Sequence, residues 1–212
     1  VNSEIIPVGS FSEQCRISSS SGRKGKIDIL FPITSGMSMV AEGCRTKSDL
    51  LTHYQIELLK TLDRFAELRV VVKPFMNTSS RNCSVIEVLR KLKHIEIKDD
   101  VPLTEFYDEY EIQAVVIEYP SSPLYEVIGR DIEIFQMADP NLPFSPEALK
   151  RLKRRVHYFE DIHDLLKMLT EWKNGNLPPL RDNTFYHKYI YKENAEDLIL
   201  SNIEKCMFQK HN

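Results

Sequence analysis

The sequence predicts an α/β fold: a Rossmann-like, mostly parallel sheet with helices on both faces. Three observations carry that expectation. Strand candidates alternate with helix candidates along nearly the whole chain. The strands are short continuous apolar runs rather than alternating ones, the pattern of strands covered on both sides. Roughly six strand–helix units succeed one another with no internal repeat of diagnostic period, which fits one layered domain.

Each element has a local reason. Ile5 to Val8 is a short strand candidate closed by Gly9-Ser10, and "SEQCRISSSSGRKGK" after it is a polar Ser/Gly-rich loop. "KIDILFPI" (Lys26 to Ile33) is a strand that Pro32 should stop. "SDLLTHYQIELLKTLDRFAEL" carries Leu50, Leu51, Tyr54, Leu58, Leu59, Leu62 and Phe65 at helical spacing, with Ser48 as N-cap. "LRVVVKPF" (Leu68 to Phe75) is a strand closed by Pro74. "SVIEVLRKL" is a short helix, "HIEIK" a short strand and "PLTEFYDEY" a helix opened by Pro102.

The strand "AVVIEY" comes next, then a helix from Pro123 to Ile128 and the strand "IEIF". "SPEALKRLKRR" is a helix with Ser145 as N-cap and Pro146 at its first position. "VHYF" is a last edge strand. "DIHDLLKMLTEW" is a helix stopped by Asn174-Gly175, and "AEDLILSNIEKC" a final helix. The expected organisation is a linker strand and mobile polar loop over 1–26, a Rossmann-like domain over 27–175, and a C-terminal turn and helix over 176–212 packing on that domain.

Composition narrows the class. A chain of 212 residues, 42% hydrophobic and 28% charged, can bury a core without disulfides or metals. The net charge of −3 gives no reason to expect nucleic acid as a partner. Cys15, Cys44, Cys83 and Cys206 form no CxxC pair, so reduced thiols and a cytoplasmic setting are expected. No apolar run approaches the roughly 20 residues of a membrane span. The start at Val1 reads as a fragment of a longer protein.

The stretch that carries chemistry is "AVVIEYPSSPLYEVIGRDIEIF" (Ala114 to Phe135). Ligands of open parallel sheets sit at the carboxyl ends of strands, where the next helices begin. Ser122 before Pro123 reads as a helix cap, leaving helix amides to receive a phosphate. Ser121 and Ser122 add hydroxyl donors, and Glu126 could accept from a ribose or sugar hydroxyl. The same residues also fit a purely structural part, with Ser122 capping its helix, Ser121 filling the turn and Glu126 solvated.

The order of elements and this turn resemble the donor-binding C-terminal domain of GT-B glycosyltransferases. The likeness is greatest to the CDP-glycerol glycerophosphotransferase-like and surface-polysaccharide transferases. That group shows a strand, Asp-Tyr-Ser-Ser, a helix, a strand like "KPIIFY" and a loop Asp; here "IEYPSSPLYEVIGRDIEIFQMAD" ends at Asp139. The group's strand ending Arg-Pro-His-Pro is matched by "VVVKPFMN", its first donor-domain strand and loop by "IDILFPITSG", and its linker strand by "IIPVGSF". The resemblance implies that Ser121 and Ser122 hold the donor phosphates and that Lys73 stands for an Arg beside them. It places Thr34 and Ser35 in a donor-facing loop, and Gly9 at the hinge. Phe75 stands where the group has His, and Glu118 with an extra Pro120 where it has Asp.

In function, the resemblance implies the nucleotide-donor half of a glycosyl- or glycerophosphotransferase. Such a domain would bind a CDP-, CMP- or UDP-linked donor and serve a carbohydrate or lipid-linked acceptor, with an N-terminal acceptor domain missing from this chain. Such enzymes need no metal or other cofactor, because helix dipoles and side chains supply the positive potential. The sequence singles out no catalytic residue. A non-catalytic assembly module and a GT-B-shaped nucleotide-sugar epimerase are the alternatives.

Three other stretches carry weaker signals. "SSSSGRKGK" has neither the spacing nor the subsequent helix of a phosphate loop. The cluster Lys150 to Arg155 reads as a solvated helix end, or as a peripheral contact with the inner face of the membrane. His157 and His163, around Glu160 and Asp161, straddle a strand-to-helix boundary and do not share one helix face for a metal.

Overall fold

The computed structural model describes residues 24–33, 48–74, 84–98, 102–118, 120–139, 144–191, 194, 197 and 199–201. The candidate strand at Ile5, Thr34, Ser35, Gly9, Phe75 and most of the final helix lie outside these residues.

Six strands form one sheet: β1 (Lys26–Ile33), β2 (Val70–Pro74), β3 (Ile95–Ile97), β4 (Glu111–Ile117), β5 (Glu133–Met137) and β6 (His157–Phe159). Their order across the sheet is β3-β2-β1-β4-β5-β6, and every pairing is parallel. The helices are α1 (Ser48–Leu62), α2 (Ser84–Leu89), α3 (Leu103–Glu109), α4 (Ser122–Val127), α5 (Pro146–Leu152), α6 (Ile162–Lys173) and α7 (Thr184–Tyr189).

Parallel strands are separated by crossovers that place helices on both faces, so both faces of each central strand must be apolar. The core divides accordingly. On one face Ile27, Leu30, Val115, Ile117 and Ile134 meet Phe106 of α3, Leu124 and Val127 of α4, Leu152 of α5 and Phe185 of α7. On the other, Ile29, Phe31, Val72, Val116 and Phe135 meet Leu58, Leu59 and Leu62 of α1, Val85 and Leu89 of α2, and Leu165 and Leu169 of α6.

Most predicted elements are present with shifted ends. β1 runs through Pro32 to Ile33, because Pro32 sits within the pairing to β2 rather than ending it. β4 begins at Glu111, three residues before the apolar run, since Lys26 and Ile27 of β1 pair with Glu111 and Ile112. Helix α1 starts at Ser48 itself and stops at Leu62, and the chain beyond it turns so that Phe65 still enters the core. Ser145 caps α5, its side chain accepting from the Ala148 amide at 3.3 Å. Asp161 caps α6 in the same way at 2.9 Å, and Gly175, at φ +73°, lies just past the end of that helix. Helix α7 has no counterpart among the predicted elements; Phe185 and Ile190 bury it against α5 and the sheet.

Candidate functional site

The sheet order reverses direction between β1 and β4. Chains leaving those two neighbouring strands diverge to opposite faces, α1 to one and α4 to the other, and open α/β sheets bind ligands beyond the carboxyl ends of such a pair. The Ser121-Ser122 turn comes directly after β4. Its position is set by topology, independently of any motif.

The details of the turn differ from the sequence expectation. Ser121, not Ser122, is the residue before the helix: its backbone is extended (φ −142°, ψ −171°) and its side chain makes no capping hydrogen bond. Ser122 is the first helical residue and is exposed, with Pro123 next. The Leu124 and Tyr125 amides both donate to the Ser121 carbonyl, at 2.9 and 3.4 Å. Pro123 has no N–H. The helix start therefore offers the Ser122 amide beside two hydroxyls, rather than a full turn of amides. Glu126, half-buried, lies on the same helix, and its carbonyl accepts from Arg130 Nε at 3.2 Å.

Around this turn the carboxyl rim holds buried polar groups. Lys73, at the end of β2, is 3% exposed, and Glu118, directly after β4, is 2% exposed. Gln55 of α1, also buried, donates from Nε2 to Glu118 Oε2 at 2.9 Å. Asp139, after β5, is buried as well. A carboxylate this deep is tolerated only with hydrogen-bond donors. Sequence pattern alone misses Gln55 because it sits inside an ordinary amphipathic helix; a Gln on the apolar face of that pattern is the signal that could have found it.

The basic run at the end of α5 is solvated in part: Lys150, Lys153 and Arg154 are exposed, whereas Arg155 is buried. Arg155 is 1% exposed and donates to four carbonyls, including Ile128 at 2.9 Å, Ile132 at 3.0 Å and Leu180 at 3.1 Å; the fourth is Arg130. Burial, aided by the Arg181 charge, pushes its pKa down to about 10, so it stays cationic at neutral pH. Arg151 pairs with Glu147 at 3.1 Å, Arg154 with Asp182 at 3.6 Å, and Lys153 lies 5.0 Å over the Tyr158 ring. Only part of the run's charge remains to attract a membrane. Among the described residues no helix is long and apolar enough to cross one.

His157 and His163 are not brought together as ligands. His157 is buried at the start of β6, with Nε2 3.1 Å from Glu133 Oε2 and its ring stacked on Phe135, whereas His163 is exposed on α6. Among the described residues no group of three or more His, Cys, Asp or Glu is placed to hold a metal ion.

The six-stranded parallel sheet and its helices on both faces define a Rossmann-like domain. Among solved structures it is similar to a UDP-GlcNAc 2-epimerase from Neisseria meningitidis bound to UDP-GlcNAc, with a TM-score of 0.54 over 84% of this chain. The identity is 12%, and the likeness is one of fold; the chain spans 45% of that protein's length. No protein-family model matches the sequence. No curated protein matches it either.

Proposed function

We propose that this chain is the nucleotide-donor-binding half of a GT-B-type enzyme. The observation that carries the reading is the place of the Ser121-Ser122 turn, directly after β4 at the point where the sheet order reverses. The donor's phosphates would lie against the two hydroxyls and the Ser122 amide. Lys73 would supply the positive charge that the short helix start lacks, and Glu126 would accept from the ribose. Thr34 and Ser35, in the loop after β1, and Gly9 at the hinge would complete the site. As the nucleotide leaves and the sugar or glycerophosphate moves to an acceptor hydroxyl, the same donors would stabilise the charge left on the nucleotide's phosphate.

In the finer reading, the enzyme is a glycosyl- or glycerophosphotransferase of surface-carbohydrate or teichoic-acid type, working in the cytoplasm. Residues 27–175 would form the donor domain, 1–26 would enter it, and 176–212 would pack back on it. An upstream acceptor domain would bring the carbohydrate or lipid-linked acceptor and the general base. The second reading, a nucleotide-sugar epimerase, is favoured by the likeness to a fold seen with UDP-GlcNAc bound.

Calorimetry with UDP, CDP and CMP tests the proposal. One of them should bind, and Ser121→Ala/Ser122→Ala should weaken it about tenfold or more, since a hydrogen bond to a charged group contributes about 1.5–3 kcal/mol. Silence with every nucleotide would favour a non-catalytic assembly module. Conversion of UDP-GlcNAc with no acceptor present would decide for the epimerase.

A further inference from the structure

An opening lies at the amino rim of the sheet, where the strands begin. It is a cavity of about 670 Å³, walled by residues just before β2, by the first residues of β4 and β5, by the end of α6 and by Arg181. That volume falls within the roughly 300–1,000 Å³ typical of small-molecule sites. The length of the strands separates it from the Ser121-Ser122 turn.

Its charges cancel. Arg130, Lys173 and Arg181 on the wall are matched by Glu111, Asp131 and Glu133. The cations are already engaged: Arg181 bridges Asp131 and Glu133, Arg130 meets Asp108 at 3.0 Å, and Lys173 meets Glu67. An anion or a cation entering here would have to displace an existing partner. A neutral hydroxyl would not, because it donates to a carboxylate and accepts from a guanidinium at once.

The rest of the wall is Gln113 and a set of aromatic and apolar residues. Tyr107, Tyr110 and Trp172 line the cavity with Leu68 and Ile132. Tyr107 and Tyr110 are buried, the first under Arg130 and the second stacked on Phe106. The partly exposed Trp172 is therefore the ring whose electron-rich face suits the weakly positive C–H face of a pyranose, while planar Arg, Asp and Glu groups suit its hydroxyls. We propose that this amino-rim cleft is a binding site for neutral carbohydrate, with room for a di- or trisaccharide stretch of a longer glycan.

Trp172 is the only tryptophan of the chain, so the cleft carries its own reporter. The full chain is titrated with maltotetraose, cellotetraose and chitotetraose, with tryptophan emission and, in parallel, heat as the readouts. At least one glycan should give a saturable change in both. Arg181→Gln should weaken that binding about tenfold, the loss of one charge-assisted hydrogen bond. Gln113→Ala, a milder change in the same wall, should weaken it by a smaller factor with the fold intact by circular dichroism. Ser121→Ala/Ser122→Ala should leave it unchanged, which keeps this test apart from that of the nucleotide site. No saturable change with any of the three glycans, affinity unmoved by both wall variants, or loss of binding in the double serine variant would each overturn the proposal.

Discussion

Replacing Arg155 by leucine should destabilise the domain more than any surface change in the same basic run. The guanidinium holds the Ile128, Arg130, Ile132 and Leu180 carbonyls, tying the α4–β5 turn to the segment after α6. The bonds to Ile128 and Ile132 are fully buried, whereas those to Arg130 and Leu180 lie nearer solvent. In Arg155→Leu the outer two carbonyls can be taken over by water. The inner two cannot, and each buried acceptor left without a partner costs about 1–3 kcal/mol. Their sum, about 2–6 kcal/mol, is offset in part because the cost of burying a charge disappears as well.

The net expectation is a loss of about 2–4 kcal/mol, a large share of the 5–15 kcal/mol available to a domain of this kind. Urea unfolding monitored by far-UV circular dichroism measures it, and amide exchange should locate the damage at residues 128–132. Arg151→Leu and Arg154→Leu, which lose only exposed ion pairs, should change stability by no more than about 0.5 kcal/mol. A loss below about 1 kcal/mol in Arg155→Leu, with exchange at 128–132 unaltered, would refute the reasoning.

Three further outcomes are expected. Gly129→Ala would place a Cβ 2.8 Å from Tyr186 Cε2, so it should cost about 1–3 kcal/mol; a double-mutant cycle with Tyr186→Leu should return most of it. Gln55→Leu removes a donor from the buried Glu118 carboxylate and should cost about 1–3 kcal/mol in thermal unfolding. Burial raises the pKa of Glu133, but the hydrogen bond to His157 and the Arg181 charge outweigh it and leave the carboxyl below its ordinary value. Its contribution to stability is therefore present above the unfolded carboxyl value, about 4.3, and is lost as pH falls through the lower folded value. Glu133→Gln should flatten the acid limb of a stability–pH profile, and an unchanged acid limb would contradict the assignment.

The architecture is legible in the sequence because its signals are local. Ser145 with Pro146 and the Asn174-Gly175 pair mark helix ends within a few residues, and each works in the structure as its chemistry suggests. Short unbroken apolar runs imply two covered faces, and two separate core clusters are found. The element ends are less legible. The Glu111 end of β4 is polar because it lies at the rim, so only its pairing with β1 reveals it as strand. The turn after β4 stands out in sequence, but its cap lies one residue earlier than expected: a Ser-Ser-Pro sequence allows either serine to precede the helix, and the backbone chose Ser121.

Arg155 shows where local reading fails. Within Lys150 to Arg155 it is one cation among five, and nothing adjacent distinguishes it from Arg154. What sets its fate is a gap among carbonyls contributed by residues 128–132 and 180, which reach it only after the sheet is assembled. The two rims of the sheet differ in the same respect. Groups at the carboxyl rim cluster around single strand-to-helix turns, so a short motif announces them. Those at the amino rim come from five distant stretches, around Leu68, Glu111, Asp131, Trp172 and Arg181, and no motif spans them. A parallel sheet thus advertises its carboxyl-rim chemistry in sequence and conceals whatever its amino rim assembles, which is why the cleft beside Trp172 becomes visible only in three dimensions.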